Sequence, residues 1–263
     1  METGKTRRLR RIIRNDSRTL IIAMDHGVTV GPVRGLEDMQ ETVRKVVNGG
    51  ADAVLFHKGI AKHVDTMGSG LIVHVSASTK LGSKPNLKVD VCNVQEAIAL
   101  GADAVSAHIN IGSEEEHVML RSLGTLSREC DSFGLPLLAM MYPRGPNIKN
   151  DHELEIVAHA ARIGAELGAD IVKTVYTGDV NSFRHVVKSC PVPVVVAGGA
   201  QAESDKEVFE LAEESMKAGA AGLSFGRNVF QHSNPTAMAE ALSGIVHDGS
   251  TAVEASKKME AVK

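Results

Sequence analysis

The sequence predicts an α/β fold of the (β/α)8 TIM-barrel class, and three observations predict it. One junction recurs four times, as "GGADAVLFH" (49–57), "LGADAVSAH" (100–108), "LGADIVKTV" (167–175) and "AGAAGLSFG" (218–226). Eight candidate strands alternate with helical patterns along the chain. Polar and titratable residues gather at one end of those strands.

Each junction follows an amphipathic stretch, such as "EDMQETVRKVVN" or "DKEVFELAEESMK". A glycine closes the helix in a left-handed turn, and a short strand of β-branched or small residues follows. Helix–Gly–strand units in series imply parallel strands joined by crossover helices.

In chain order, the first strand is predicted at 20–24 and ends in "MDHGVTV", followed by a helix over 36–48. The first junction supplies a strand at 53–57, and a third strand is expected at 71–75. The second junction supplies 104–108, a helix runs over 114–133, and a strand follows at 137–141. A helix over 151–167 leads through the third junction to 170–174. A strand at 193–197 ends in "VVVAGGA", a helix covers 202–217, and the fourth junction closes the set at 222–225. An open doubly wound sheet would want a Gly-rich turn after its first strand. That place is taken here by "MDHGVTV".

The whole chain is compatible with this. It has 263 residues, a formal net charge of -3, 43 % hydrophobic and 23 % charged residues, an ordinary globular composition. Barrels of about 250 residues form one domain. The expected organisation is therefore a single TIM-barrel domain over 1–263 with a basic N-terminal arm at about 1–18. No apolar run approaches the roughly 20 residues needed to cross a bilayer, and no long apolar stretch opens the chain. Neither a membrane span nor a secretory leader is expected, and the expected location is cytoplasmic. Cys92, Cys130 and Cys190 are far apart and odd in number, without a CxxC pair; they read as reduced thiols. The run "KTRRLRRIIRND" (5–16) lacks the aromatic platforms of single-strand binders. It is expected to be a solvated arm or a subunit contact rather than a nucleic-acid site.

In a barrel, function sits at the C-terminal ends of the strands. Those ends carry Asp25–His26, His57–Lys58, His74, His108, Tyr142–Pro143–Arg144, Lys173, Gly198–Gly199 and Gly226–Arg227. The most telling is Lys173, at the end of an otherwise apolar strand, because desolvating an ammonium costs several kcal/mol. Strand alternation points Lys173 inward with Ile171, Tyr142 inward with Leu138 and Met140, and Asp25 inward with Ile21 and Ala23. A free lysine, of pKa about 10.4, has roughly one amine in 2,500 unprotonated at neutral pH. Burial raises that fraction steeply, which imine formation with a ketone requires. The loops after the seventh and eighth strands, with Gly198, Gly199, Gly226 and Arg227, match the place where barrels bind phosphate. Together these residues predict a Schiff-base-forming barrel acting on a phosphorylated carbonyl compound.

The segments "MDHGVTVGP", "HKGI", "AMMYPRG", "GADIVKT", "VVVAGG" and "GRNVFQH" also resemble the archaeal-type class I aldolases related to fructose-bisphosphate aldolase. The resemblance runs from about residue 12 to the end. It implies Lys173 as the Schiff-base lysine, Tyr142 as proton donor and Asp25 as proton acceptor. It implies substrate contacts at His26, Gly27, Val28, Thr29, Pro143 and Arg144, and phosphate contacts at Gly198, Gly199, Gly226 and Arg227. No metal and no cofactor are implied. A homo-oligomer is, with a decamer built from pentameric rings as the family expectation. The aldolase branch tends to carry a tryptophan ahead of the YPRG motif; here Met140–Met141 precedes it, and the chain has no tryptophan. That favours a synthase branch, whose partners are a phosphorylated keto sugar and L-aspartate semialdehyde, and which serves an alternative route to 3-dehydroquinate and aromatic amino acids.

Three other readings stay open: fructose-bisphosphate aldolase itself, a metal-dependent barrel using His57, His74 and His108, and a non-catalytic phosphosugar- or RNA-binding barrel. The segment "SASTKLGSKPN" (76–86) is expected to be a mobile active-site flap.

Overall fold

The computed structural model describes residues 3–261. Its strands are β1 (Thr19–Ala23), β2 (Ala53–His57), β3 (Gly70–His74), β4 (Ser76–Ala77), β5 (Val89–Asp90), β6 (Ala104–Ile111), β7 (Leu137–Pro143), β8 (Ile171–Thr174), β9 (Val194–Ala197) and β10 (Gly222–Phe225). Eight of them close a barrel in the order β1-β10-β9-β8-β7-β6-β3-β2, every neighbouring pair parallel. β4 and β5 form a separate antiparallel pair. The (β/α)8 class read from the sequence is the class observed.

The four junction glycines, Gly50, Gly101, Gly168 and Gly219, all have φ between 81° and 98°, the left-handed region that closes a helix and turns the chain into the next strand. Helices Met39–Asn48 and Asp205–Lys217 start three residues later than the pattern suggests. Their N-caps set the start: Asp38 accepts from the Glu41 N–H at 2.9 Å, and Ser204 from the Glu207 N–H at 3.3 Å.

Side-chain alternation holds around the ring. Ile21, Ala23, Ala53, Leu55, Ile72, Ala104, Leu138, Met140, Ile171 and Val195 form one buried cluster inside the barrel. Leu20, Ile22, Val54, Val73, Val105, Met141, Val172 and Val196 join the helices in the other. β6 and β7 run on to Ile111 and Pro143 and pair over seven rungs. The wall is therefore higher on that side than the expected ends at 108 and 141 imply.

Most of the basic arm is exposed, in keeping with the solvated arm expected, and it is anchored at a few residues; of the arm placed at about 1–18, residues 1 and 2 lie outside the described residues. Residues Gly4–Leu9 are helical, and Ile12, fully buried, joins the interior cluster from below. Burying such a side chain contributes about 1.5–3 kcal/mol. The arm comes so close that a side chain on Gly70 would stand 2.6 Å from the Arg11 carbonyl.

The arm's cations meet the aspartates of the Gly-Ala-Asp turns. Each aspartate accepts from the backbone N–H of a neighbouring strand segment: Asp52 from Leu20 (2.6 Å), Asp103 from Leu71 (3.1 Å) and Asp170 from Leu137 (2.9 Å). The same carboxylates pair with Arg14, with Arg11 at 2.9 Å and with Lys5 at 3.0 Å. The fourth repeat has Ala221 instead, and there the Thr19 N–H donates to the Ala221 carbonyl at 2.9 Å. His247 completes this rim, its Nδ1 2.7 Å from Asp16 and its Nε2 2.9 Å from Asp52.

Candidate active site

Lys173 ends an apolar column on β8 and is 6 % exposed. By register it faces Met140 of β7 and Val195 of β9, so Tyr142 lies one inward position further along its strand. Burial pulls the Lys173 amine down to about 8, against a smaller upward pull from the Asp25 charge.

Asp25 follows β1 at the start of a short helix, His26–Val30, yet its carboxylate makes no capping bond there and faces the mouth groups instead. His26 Nδ1 lies 3.7 Å from Oδ1 and His74 Nε2 3.8 Å from Oδ2. Burial would raise Asp25. The charges of His74, His26, Lys173 and His57 outweigh it and hold the carboxyl well below the usual range. Burial also lowers His26 and His57, and lowers His74 to about 4, so these imidazoles are neutral near pH 7. Lys173 is then the cation that faces Asp25 in neutral solution.

Tyr142 is pushed well above its ordinary value by burial, with Asp25 adding to the rise and Arg144 opposing it. It keeps its phenolic proton. Its ring meets His108 edge-on at 4.8 Å, and the Arg144 guanidinium lies over it at 4.9 Å, a cation–π contact. The turn beyond is tight, since a side chain on Gly145 would stand 1.6 Å from the Gly112 carbonyl.

The histidines of β2, β3 and β6 all have hydrogen-bond partners, and the His57 and His74 rings meet edge-on at 5.0 Å. His57 Nδ1 is 3.1 Å from the His74 carbonyl, His74 Nδ1 is 2.7 Å from Ser106 Oγ, and His108 Nε2 is 2.8 Å from Asn110 Oδ1. Among the described residues, no group of three or more His, Cys, Asp or Glu is placed to hold a metal ion.

The glycine loops after β9 and β10 are stitched together. Arg227 donates to the Gly199 carbonyl at 2.8 Å, and Asn228 Nδ2 to the Gly198 carbonyl at 2.8 Å. The Arg227 Nε is buried without a partner among the described residues, a guanidinium donor left over for an anion. A side chain on Gly226 would meet the His26 ring at 2.7 Å, so the β1 and β10 loops touch. His26, Gly27, Val28 and Thr29 all lie on the short helix after β1, with Val28 exposed to the mouth.

The 76–86 segment begins with β4, and the antiparallel β4–β5 pair closes it. It is tethered by the Lys80 N–H to the Thr29 carbonyl (2.9 Å) and by Asn110 Nδ2 to the Asn86 carbonyl (2.7 Å). Opening it breaks both bonds.

Four polar residues of this region escape a reading of strand ends alone. Ser106 orients His74, Ser224 carries a buried hydroxyl on β10 that has no partner among the described residues, Asn228 stitches the glycine loops, and Lys88 is drawn to the mouth by β5. Alternation could have found Ser106, which shares the inward parity of Ala104.

The DeoC/LacD family aldolase profile matches residues 19–232. The chain is 45 % identical over 249 residues to the 2-amino-3,7-dideoxy-D-threo-hept-6-ulosonate synthase of Halobacterium salinarum, covering 94 % of this chain and 93 % of that one. It is 49 % identical over 247 residues to 2-amino-3,7-dideoxy-D-threo-hept-6-ulosonate synthase 1 of Archaeoglobus fulgidus, covering 93 % and 91 %. An archaeal fructose-1,6-bisphosphate aldolase solved with its catalytic lysine bound to the carbinolamine intermediate superposes with a TM-score of 0.86. Identity is 36 %, over 92 % of this chain and 99 % of that one.

Proposed function

The chain belongs to the DeoC/LacD aldolase family and is an enzyme, and on that premise we propose that it catalyses the transaldol reaction of the 2-amino-3,7-dideoxy-D-threo-hept-6-ulosonate synthases. The observation that carries this reading is Lys173, buried at the barrel mouth with its amine drawn down to about 8. Identity to the two synthases, at 45 % and 49 %, supports this branch.

In this reading Lys173 condenses with the ketone beside the methyl group of 6-deoxy-5-ketofructose 1-phosphate, releasing water. The iminium draws electrons from the bond between its α-carbon and the next, hydroxyl-bearing carbon. That hydroxyl loses its proton, the bond breaks, and hydroxypyruvaldehyde phosphate departs. A hydroxyacetone enamine stays on Lys173. The enamine carbon attacks the aldehyde of L-aspartate semialdehyde, the new alkoxide takes up a proton, and water frees the seven-carbon amino acid.

The charge states of Asp25 and Tyr142 support a division of the proton duties. Asp25, held as a carboxylate, accepts; Tyr142, held as a phenol, donates. His26, Gly27, Val28, Thr29, Pro143 and Arg144 line the substrate. Gly198, Gly199, Gly226 and Arg227 hold the phosphate of the donor. No step draws on a metal or an organic cofactor. The active assembly is a homo-oligomer.

Borohydride reduction with candidate ketose phosphates, followed by mass spectrometry of the trapped peptide, tests the nucleophile and the carbon skeleton together. The expected adduct is a three-carbon hydroxyacetone unit on Lys173. An adduct on another residue, or none, sinks the imine mechanism. The second reading, fructose-bisphosphate aldolase, has the carbinolamine-bound aldolase structure in its favour. Cleavage of fructose 1,6-bisphosphate without consumption of aspartate semialdehyde would establish it instead.

A further inference from the structure

Lys88 is 8 % exposed although it lies outside the barrel strands, directly before β5. Its amine donates to Ser78 Oγ at 2.5 Å. Arg144, on the raised β6–β7 wall, lies over the Tyr142 ring, and its backbone N–H is tied to the Ile111 carbonyl at 2.8 Å. Among the described residues, neither cation meets a carboxylate. The carboxylate whose charge reaches Lys88 is Asp25, short of an ion pair, and Asp90, two residues on, accepts from Ser122 at 2.6 Å. A hydroxyl is poor recompense for burying an ammonium, and a neutral side chain would secure the β4–β5 pair as well.

We propose that Lys88 and Arg144 form a second anion site at the mouth, and that it takes the carboxylate of the acceptor aldehyde. The inference rests on the transaldolase reading and deepens it to the acceptor. By strand order, β7, which Arg144 follows, stands three strands around the ring from β10, the strand that precedes Arg227, and β3, which leads into the segment holding Lys88, stands three strands from it the other way. The two anion sites therefore lie on opposite sides of the mouth, with Lys173, Asp25 and Tyr142 between them, and are used in turn, since the donor phosphate leaves with hydroxypyruvaldehyde phosphate before the acceptor reacts. Lys88 and Arg144 also share one field. Burial lowers Lys88, Arg144 lowers it further, and Asp25 opposes; His108 is lowered by burial, then by Lys88 and Arg144. An incoming carboxylate relieves that repulsion. Arg144 grips it with a forked donor and Lys88 adds a point charge. An uncharged aldehyde gains nothing there.

The test is the ratio of kcat/KM for L-aspartate semialdehyde to that for butanal, measured with the keto sugar phosphate at saturation. Lys88→Met is expected to lower the ratio at least tenfold, through the KM of the semialdehyde, and Lys88→Arg to restore most of it. A ratio held in Lys88→Met overturns the proposal. So does a loss that falls on the KM of the keto sugar phosphate, which would make the pair a donor site. If Lys88→Met does not fold, as judged by melting, Arg144→Met is read against the same ratio. Failure of the underlying reaction shows separately, as wild-type enzyme that does not consume the semialdehyde. The comparison then becomes glyceraldehyde 3-phosphate against glyceraldehyde in the aldol direction, where an unchanged ratio in Lys88→Met again overturns the site.

Discussion

His74 Nε2 lies 3.8 Å from Oδ2 of Asp25, while its other ring nitrogen is 2.7 Å from Ser106 Oγ. The serine fixes the ring, so the imidazole presents one defined edge to the carboxylate. The contact keeps Asp25 a base without giving it a permanent cation at neutral pH, and Lys173 supplies that charge.

Asp25→Asn separates these roles. It removes the proton acceptor, and turnover is expected to fall about 10²–10⁴-fold. It also removes the charge that raises Lys173 against burial, so the amine titrates below about 8. Borohydride trapping at pH 7 should persist or rise while turnover collapses. Loss of both in parallel, with the Lys173 titration unmoved, would contradict this division.

Lys173 sets the acid limb of the rate. With the amine at about 8, roughly one molecule in ten is unprotonated at pH 7, against about one in 2,500 for an ordinary lysine. Single-turnover imine formation is expected to climb about tenfold from pH 6 to pH 7 and to level off above pH 8. A limb that keeps rising toward pH 10 would indicate a solvated ammonium.

The same burial costs stability. A lysine whose folded value lies below its unfolded value binds fewer protons folded than unfolded between about 8 and 10.5, so its stability contribution is full above that window and falls as pH drops through it. The displacement corresponds to about 3 kcal/mol at pH 7. Lys173→Met is expected to be inactive yet to melt higher than wild type at pH 7, with the gain vanishing above pH 10.5. Equal melting at both pH values would refute the cost.

His247 works in the opposite sense at the other rim. Burial alone would lower it, but hydrogen bonds to Asp52 and Asp16 prevail and raise it. Its contribution is fully present below 6.5 and lost as pH rises through the raised value. His247→Gln is expected to destabilise by about 1–3 kcal/mol at pH 6 and by less at pH 9. Denaturant melts at the two pH values decide it.

The fold was legible because its repeat is local. A helix, a glycine at positive φ and an apolar strand fall within about twenty residues, and alternation then placed Lys173, Tyr142 and Asp25 inward without any long-range information. Helix Val94–Ala99 is too short to show a period, whereas Val180–Ser189, as long as Met39–Asn48 and with Phe183 and Val186 on its buried face, carried a readable one. Lys88 was hidden because two-residue strands have no alternation to read, and its burial depends on Ser76–Ala77 pairing with Val89–Asp90. The arm's charges were visible and their destination was not. Asp52, Asp103 and Asp170 stand 38, 92 and 165 positions from Arg14, Arg11 and Lys5, and each was already recognisable only as part of a turn.

That docking has a consequence for the order of folding. The contact of Lys5 with Asp170 spans 165 positions and that of His247 with Asp16 spans 231. Closing such loops costs more chain entropy than pairing neighbouring strands, so the arm is expected to seal the floor of the barrel after those strands have joined.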